Sequence, residues 1–399
     1  MLTRIIARYR AFLRAPGLLA TFALTWVART PIATVTLGML LHVHALTGSF
    51  ATAGATVGAY FLAMACGAPV IGRVVDRRGH GRALAVTSTV SPLALIAILF
   101  AQPLGLGMSA VILLAAVAGG FAPPITVLTR ASLRQRFDDE RDRSTAFALD
   151  TVLVELAFTL GPLAMAALLA AGGATLAFAF ACGLAAIATP VFALSPAPRY
   201  LRPTPDAPRH WLGPLTDARL VALFAVVFLL TSTFGLLEVA YPAYGTSQGS
   251  TARGATLIAV NSIGSAIGGL VYGGVHLAMP PTRQLAILLG AMTLPLALQG
   301  LLPAMPLLAL LAFTAGLLIA PAITLVMTLV SRYAPSQYAT EAFTWVASAI
   351  VAGIGAGSAV GGRLVETFGP AAPFAAASAS CVVALAVAAR IATLESRNG

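Results

Sequence analysis

The stretch Asp217–Tyr244, DARLVALFAVVFLLTSTFGLLEVAYPAY, carries charge at its start and then a single ionisable group, Glu238, deep in an apolar run. Twenty or more such residues in a row have the length of a helix that crosses a hydrocarbon core about 30 Å thick. Runs of this kind recur near 17–44, 51–74, 83–103, 108–131, 144–171, 173–194, 217–244, 251–276, 283–302, 305–331, 338–367 and 371–393, which makes twelve spans. Over the 399 residues, 59% are hydrophobic and 9% charged, a composition that would burden a water-soluble domain with large exposed apolar faces. Lipid is therefore the solvent, and each span satisfies its backbone internally as a helix. The runs are too long and continuous for the short alternating segments of a membrane barrel, so the expected fold is an all-α integral membrane protein.

The arginines set the expected topology. Placing the N-terminus in the cytoplasm puts nearly all of the 24 basic residues in the inner segments, leaving Arg253 and Arg363 outside and Arg29 within the first span. Both termini then face the cytoplasm, as in a multi-pass protein of a bacterial inner membrane. The net charge of +11 expresses that topology rather than a nucleic-acid surface. Arg4, Arg8, Arg10 and Arg14 precede the first run as they would a secretory signal, but the run is far longer than the 7 to 15 apolar residues of such signals, so it reads as an uncleaved helix.

Every basic residue is Arg, and without Lys the P-loop GxxxxGK[ST] and Schiff-base chemistry are both excluded. Cys66, Cys182 and Cys381 lie in separate apolar runs without metal-ligand spacing and read as small buried residues. Gly245-Thr246-Ser247-Gln248-Gly249 spells GxSxG, but a nucleophile elbow needs a strand before it, and here membrane spans flank a short loop. His42 and His44 at the outer end of the first span read as interfacial residues. No cofactor is expected.

A Pro- and Arg-rich stretch from Ser195 divides the chain: the expected units are an N-terminal six-helix bundle over 1–194, a cytoplasmic linker over 195–216 and a C-terminal six-helix bundle over 217–399. Ala122-Pro123-Pro124-Ile125-Thr126 in the fourth span is echoed by Ala320-Pro321-Ala322-Ile323-Thr324 in the tenth, its positional equivalent, as internal duplication predicts.

Between the second and third spans lies Gly72-Arg73-Val74-Val75-Asp76-Arg77-Arg78-Gly79-His80-Gly81-Arg82. This loop resembles the GxxxDRxGRR signature of the major facilitator superfamily, with His80-Gly81 where the family often carries Arg. The resemblance extends over nearly the whole chain and implies two six-helix bundles working by alternating access. It further implies that Gly72, Asp76, Arg77, Gly79 and Arg82 form a conformational-switch loop holding the cytoplasmic side closed in the outward-open state. Arg130 and Glu341 are candidate switch partners. Gly161-Pro162 partly resembles the fifth-helix motif of proton-driven drug antiporters, whereas Gly353, Gly357 and Gly361 read as a helix-packing face.

Ionisable groups inside spans are expensive and are functional candidates by default. Arg29 and Glu155 lie at similar depth in the first and fifth spans and are expected to pair, with Glu238 as a third member of a proton or substrate site. Asp150 is read as an inner-end residue occupied by capping or loop pairing. The expected function is proton-coupled export of a small, partly apolar molecule, the partners being that solute, protons and membrane lipid. Uptake of a small anionic metabolite is the alternative if Arg29 binds substrate; a membrane-embedded enzyme or non-transporting receptor is the alternative of another class.

Overall fold

The computed structural model describes residues 16–78, 80–137, 140–201, 213–274, 278–301, 304–334 and 339–398, and among these it is helical with no strand. The first span is formed by α1 (Leu18–Arg29) and α2 (Pro31–Thr47). The second and third are α3 (Phe50–Arg78) and α4 (His80–Leu99), and the fourth is α5 (Met108–Gly120) with α6 (Ile125–Arg136). Then come α7 (Glu140–Leu194), α8 (Ala218–Ser247), α9 (Thr251–Gly274), α10 (Pro281–Gln299), α11 (Met305–Tyr333), α12 (Ala339–Phe368) and α13 (Ala372–Asn398). Among the described residues, eleven helical stretches are long and apolar enough to span. One of them, in α7, turns back at Gly172 and Gly173, where φ of 76° at Gly173 suits a residue without Cβ, so α7 is two spans and the total is twelve.

Proline determines where the spans bend. At Thr30 the missing N–H of Pro31 frees the Val27 carbonyl, and the Thr30 hydroxyl and N–H both turn back to it, at 2.7 and 3.2 Å, so the first span bends without breaking. At Pro123-Pro124 two donors are lost together and the fourth span does break. There the Ala122 N–H takes the Gly119 carbonyl, and the Ser91 hydroxyl of α4 donates to the Ala118 carbonyl at 2.8 Å. The echoing Ala320-Pro321-Ala322 has one proline, and α11 runs through it.

The end of the molecule bearing Leu18, Tyr200 and Ala218 is termed the linker end and the opposite end the far end. Apolar clusters that join the two bundles lie toward the far end: Leu37, Leu41 and Met165 pack with residues of α8 and α9, and Val239 and Ala243 pack with Met39, Leu40 and Phe50. Helices α3 and α12 cross there closely enough that a Cβ on Gly58 would stand 2.8 Å from Ala359 Cβ, and one on Gly355 would stand 2.8 Å from Phe61 Cβ. Gly353, Gly357 and Gly361 form a separate face of α12 against α8, in keeping with their predicted packing role, and Gly161 packs on Ala33.

At the linker end, two clusters hold no residue of the second bundle: Ala28, Ile71 and Phe192 pack with Ala197 of the linker in one, and Leu18, Phe22 and Leu133 form the other. The first and seventh spans register the difference. From Ala33 to Val43, and from Gly235 to Gly245, every residue is buried. Toward the linker end each span gains an exposed face, carrying Leu19, Ala20 and Ala23 in α1 and Ala218 and Val221 in α8. The apolar packing that joins the bundles thus seals the far half, and the exposed side chains of these two spans toward the linker end are aliphatic.

Candidate functional site

Asp150 lies ten residues into α7, about 15 Å along its axis, and Arg29 lies at comparable depth in α1. Arg29 Nη2 donates to Asp150 Oδ1 at 2.5 Å, and Arg130 Nε, on the half-helix that follows the proline break, donates to Oδ2 at 3.0 Å. Arg29 is 3% exposed and Asp150 is fully buried, whereas the Arg130 side chain is 50% exposed. Among the described residues the acid that meets Arg29 is Asp150, which is therefore no helix-end cap; the Glu155 side chain, expected from span depth to pair with Arg29, lies outside them. Two guanidinium groups share one carboxylate, leaving one positive charge unmatched within the trio. Arg29 Nε and Nη1 have no hydrogen-bond partner among the described residues, and neither has the indole N–H of Trp26 one turn earlier.

Glu238 occupies the sealed half. It is 6% exposed, and its Oε1 accepts a 2.6 Å hydrogen bond from the Thr36 hydroxyl of α2, across the seam between bundles, while Oε2 has no partner among the described residues. Burying a carboxyl with one oxygen unsatisfied is costly in a low-dielectric interior, which singles this group out from structural polar residues. Tyr241, one turn on, is by contrast satisfied by Gln299 at 2.8 Å.

Of the remaining site candidates, Gly72 is partly buried on α3 and Arg82 is exposed at the start of α4. Gly79 and the side chains of Asp76, Arg77, Glu155 and Glu341 lie outside the described residues. Thr36 was invisible to sequence reasoning, being one hydroxyl among many in apolar runs. Of the two histidines at the outer end of the first span, one is buried and the other partly buried. His42 is buried with its ring stacked on Phe178, 5.1 Å between centroids, and His44 stacks on Phe50 at 3.7 Å. In the GxSxG stretch the Ser247 hydroxyl donates to the Tyr244 carbonyl of its own helix, the behaviour of a helix-end serine. Among the described residues no three His, Cys, Asp or Glu side chains come together as a metal site.

Outside the spans, Asp217 caps α8. It accepts from the Arg219 backbone N–H at 2.8 Å and from its guanidinium at 2.9 Å, and these donors hold its carboxyl below the usual range. Arg219 in turn lies over the Tyr333 ring, 4.8 Å from the centroid.

Two six-helix bundles, a seam closed at one end and ionisable groups in the membrane interior define a multi-pass membrane transporter. The chain belongs to the Major Facilitator Superfamily, whose family model matches residues 17–304. No curated protein matches the sequence. Among solved structures, the chain is similar to a point mutant of the nucleoside transporter NupG, with a TM-score of 0.76 and 13% identity over 94% of this chain and 99% of that one. It is also similar to a peptide transporter, POT, in complex with sulfate, with a TM-score of 0.71 and 15% identity over 96% and 94%. At such identities the likeness is one of fold, and the family and these structures are transporters of small molecules, not enzymes.

Proposed function

We propose that the chain is a secondary active transporter that exports a small, partly apolar solute in exchange for protons across a bacterial inner membrane, both termini being cytoplasmic. The observation that carries the proposal is the Glu238 carboxyl, buried in the seam with one oxygen bonded to Thr36 and the other without a partner among the described residues. A proton binding there removes a buried charge at the seam, so proton occupancy is coupled to whether the far end is closed. The chain has no Lys and hence no P-loop, so uphill transport must draw on an ion gradient. The exposed aliphatic faces of α1 and α8, which this reading makes the lining of a vestibule open at the linker end, suit a partly apolar solute, and the partial antiporter resemblance of Gly161-Pro162 supports export.

In this reading the bundles over 1–194 and 217–399 rock about the membrane-centre site, with 195–216 as the tether. The linker end is then cytoplasmic and open, and the loop of Gly72, Asp76, Arg77, Gly79 and Arg82 closes it in the opposite state, with Arg130 and Glu341 as its neighbours. Glu155 remains a second candidate carboxylate. Counterflow in proteoliposomes, combined with an internal pH dye, tests the proposal. Exchange of labelled solute accompanied by solute-dependent proton flux supports it. Solute exchange with no proton flux under any imposed gradient rules out the coupling.

A further inference from the structure

We infer that the Trp26–Arg29 turn of the first span binds an anionic group, a carboxylate or phosphate, on the transported solute. Three buried donor atoms lie within this one turn with no acceptor among the described residues: Trp26 Nε1, Arg29 Nε and Arg29 Nη1. Buried donors are normally paired, and hydrogen bonds to a charged donor are the strong ones, so three unfilled positions together mark a place where an acceptor is missing. Their electrostatic balance has the same sign. Arg29 and Arg130 both bond to the single carboxylate Asp150, whose two oxygens are already engaged, leaving one positive charge unmatched among the described residues.

The turn also has a route to the vestibule. At 100° per residue, Leu19, Ala20 and Ala23 share the exposed face of α1; Trp26 stands on its flank, and Arg29 lies next around the helix on the buried side. The partly buried indole therefore separates the open face from the guanidinium. A solute entering along the aliphatic face meets Trp26 first, and an anionic group that displaces or joins the indole reaches the Arg29 fork, whose planar donors match a carboxylate or phosphate. This inference rests on the reading of the chain as a solute transporter and narrows the solute to one with an apolar body and an anionic group.

The test uses the full chain in detergent with Trp211 and Trp345 replaced by Phe, so that Trp26 alone fluoresces, and with benzoate, benzylamine and benzyl alcohol as probes of equal bulk and different charge. Benzoate should change Trp26 emission saturably, while the amine and the alcohol should not. Arg29→Lys, which keeps the charge opposite Asp150 but loses the fork, should weaken benzoate binding about tenfold, the cost of one charged hydrogen bond. Trp26→Phe, read by calorimetry, should weaken it less while the protein stays folded. Equal responses to all three probes, or benzoate affinity unchanged in both variants, would overturn the assignment. So would a response to phosphatidylglycerol with none to benzoate, which would make the donors a lipid-headgroup contact. Because no gradient is present, loss of anion binding is distinguishable from failure of proton coupling, which appears only in vesicles.

Discussion

The hydroxyl of Thr36 in the first span donates to the carboxyl of Glu238 in the seventh at 2.6 Å, joining the two bundles inside the sealed half of the molecule. The bond ties a protonatable group to a contact across the seam, which the proposed rocking of the bundles breaks when the far end opens. Removing the donor should therefore shift the conformational balance. In Thr36→Val, spin labels placed across the far end should show a larger separated population, by about fivefold for a bond contributing ~1 kcal/mol. An unchanged distance distribution would remove this bond from the gating balance.

Arg29 and Asp150 form a buried pair, so Asp150→Ala strands Arg29, while Arg29→Ala leaves Asp150 held by the half-exposed Arg130 alone. Asp150→Ala should destabilise the protein by about 3–5 kcal/mol and Arg29→Ala by less, and the Arg29→Ala/Asp150→Ala double variant by clearly less than the sum of the two singles. Thermal unfolding in detergent measures this, and strict additivity would mean that the pair is not coupled.

The close crossing at Gly58 and Gly355 leaves no room for a branched side chain. Gly58→Val should part the far end and favour closure of the linker end. Maleimide labelling of Ala23→Cys, in a background lacking Cys66, Cys182 and Cys381, should then slow relative to the same variant with Gly58 intact. Unaltered labelling would mean that the two ends open independently.

Asp217 caps α8, and Asp217→Ala should cost about 0.5–2 kcal/mol, with Asp217→Ser recovering most of it. The folded-state pKa lies below the ordinary value of about 3.9, so the contribution is complete at neutral pH and disappears as pH falls through the folded value. Wild type and Asp217→Ala should accordingly converge in stability at acidic pH; a constant gap would contradict the assignment.

The membrane fold was legible because lipid imposes its length rule on every span, and the turn at Gly172 and Gly173 falls where the predicted fifth and sixth spans meet. Local bond accounting was not legible. The same Ala-Pro echo breaks the fourth span and leaves the tenth continuous, since the outcome turns on a second proline and on a serine supplied by a neighbouring helix. Asp150 lies deeper than its sequence position suggests because the fifth span begins at Glu140 rather than near 144, and four residues add about 6 Å of depth. Glu238 stood out as a charge in an apolar run, but Thr36 could not, because a seam partner is fixed by how two bundles dock and leaves no periodic mark on either helix.

The central claim is that Glu238 carries the coupling proton, and the direct measurement is solute transport in proteoliposomes made with Glu238→Gln, with and without an imposed pH gradient. The amide keeps an acceptor for Thr36 and cannot exchange a proton. The account predicts that pH-driven accumulation is lost while energy-independent exchange persists, and that Glu155→Gln, measured in parallel, retains accumulation. Full pH-driven accumulation in the Glu238→Gln protein would contradict it, and its survival in both variants would exclude either carboxylate as the proton carrier.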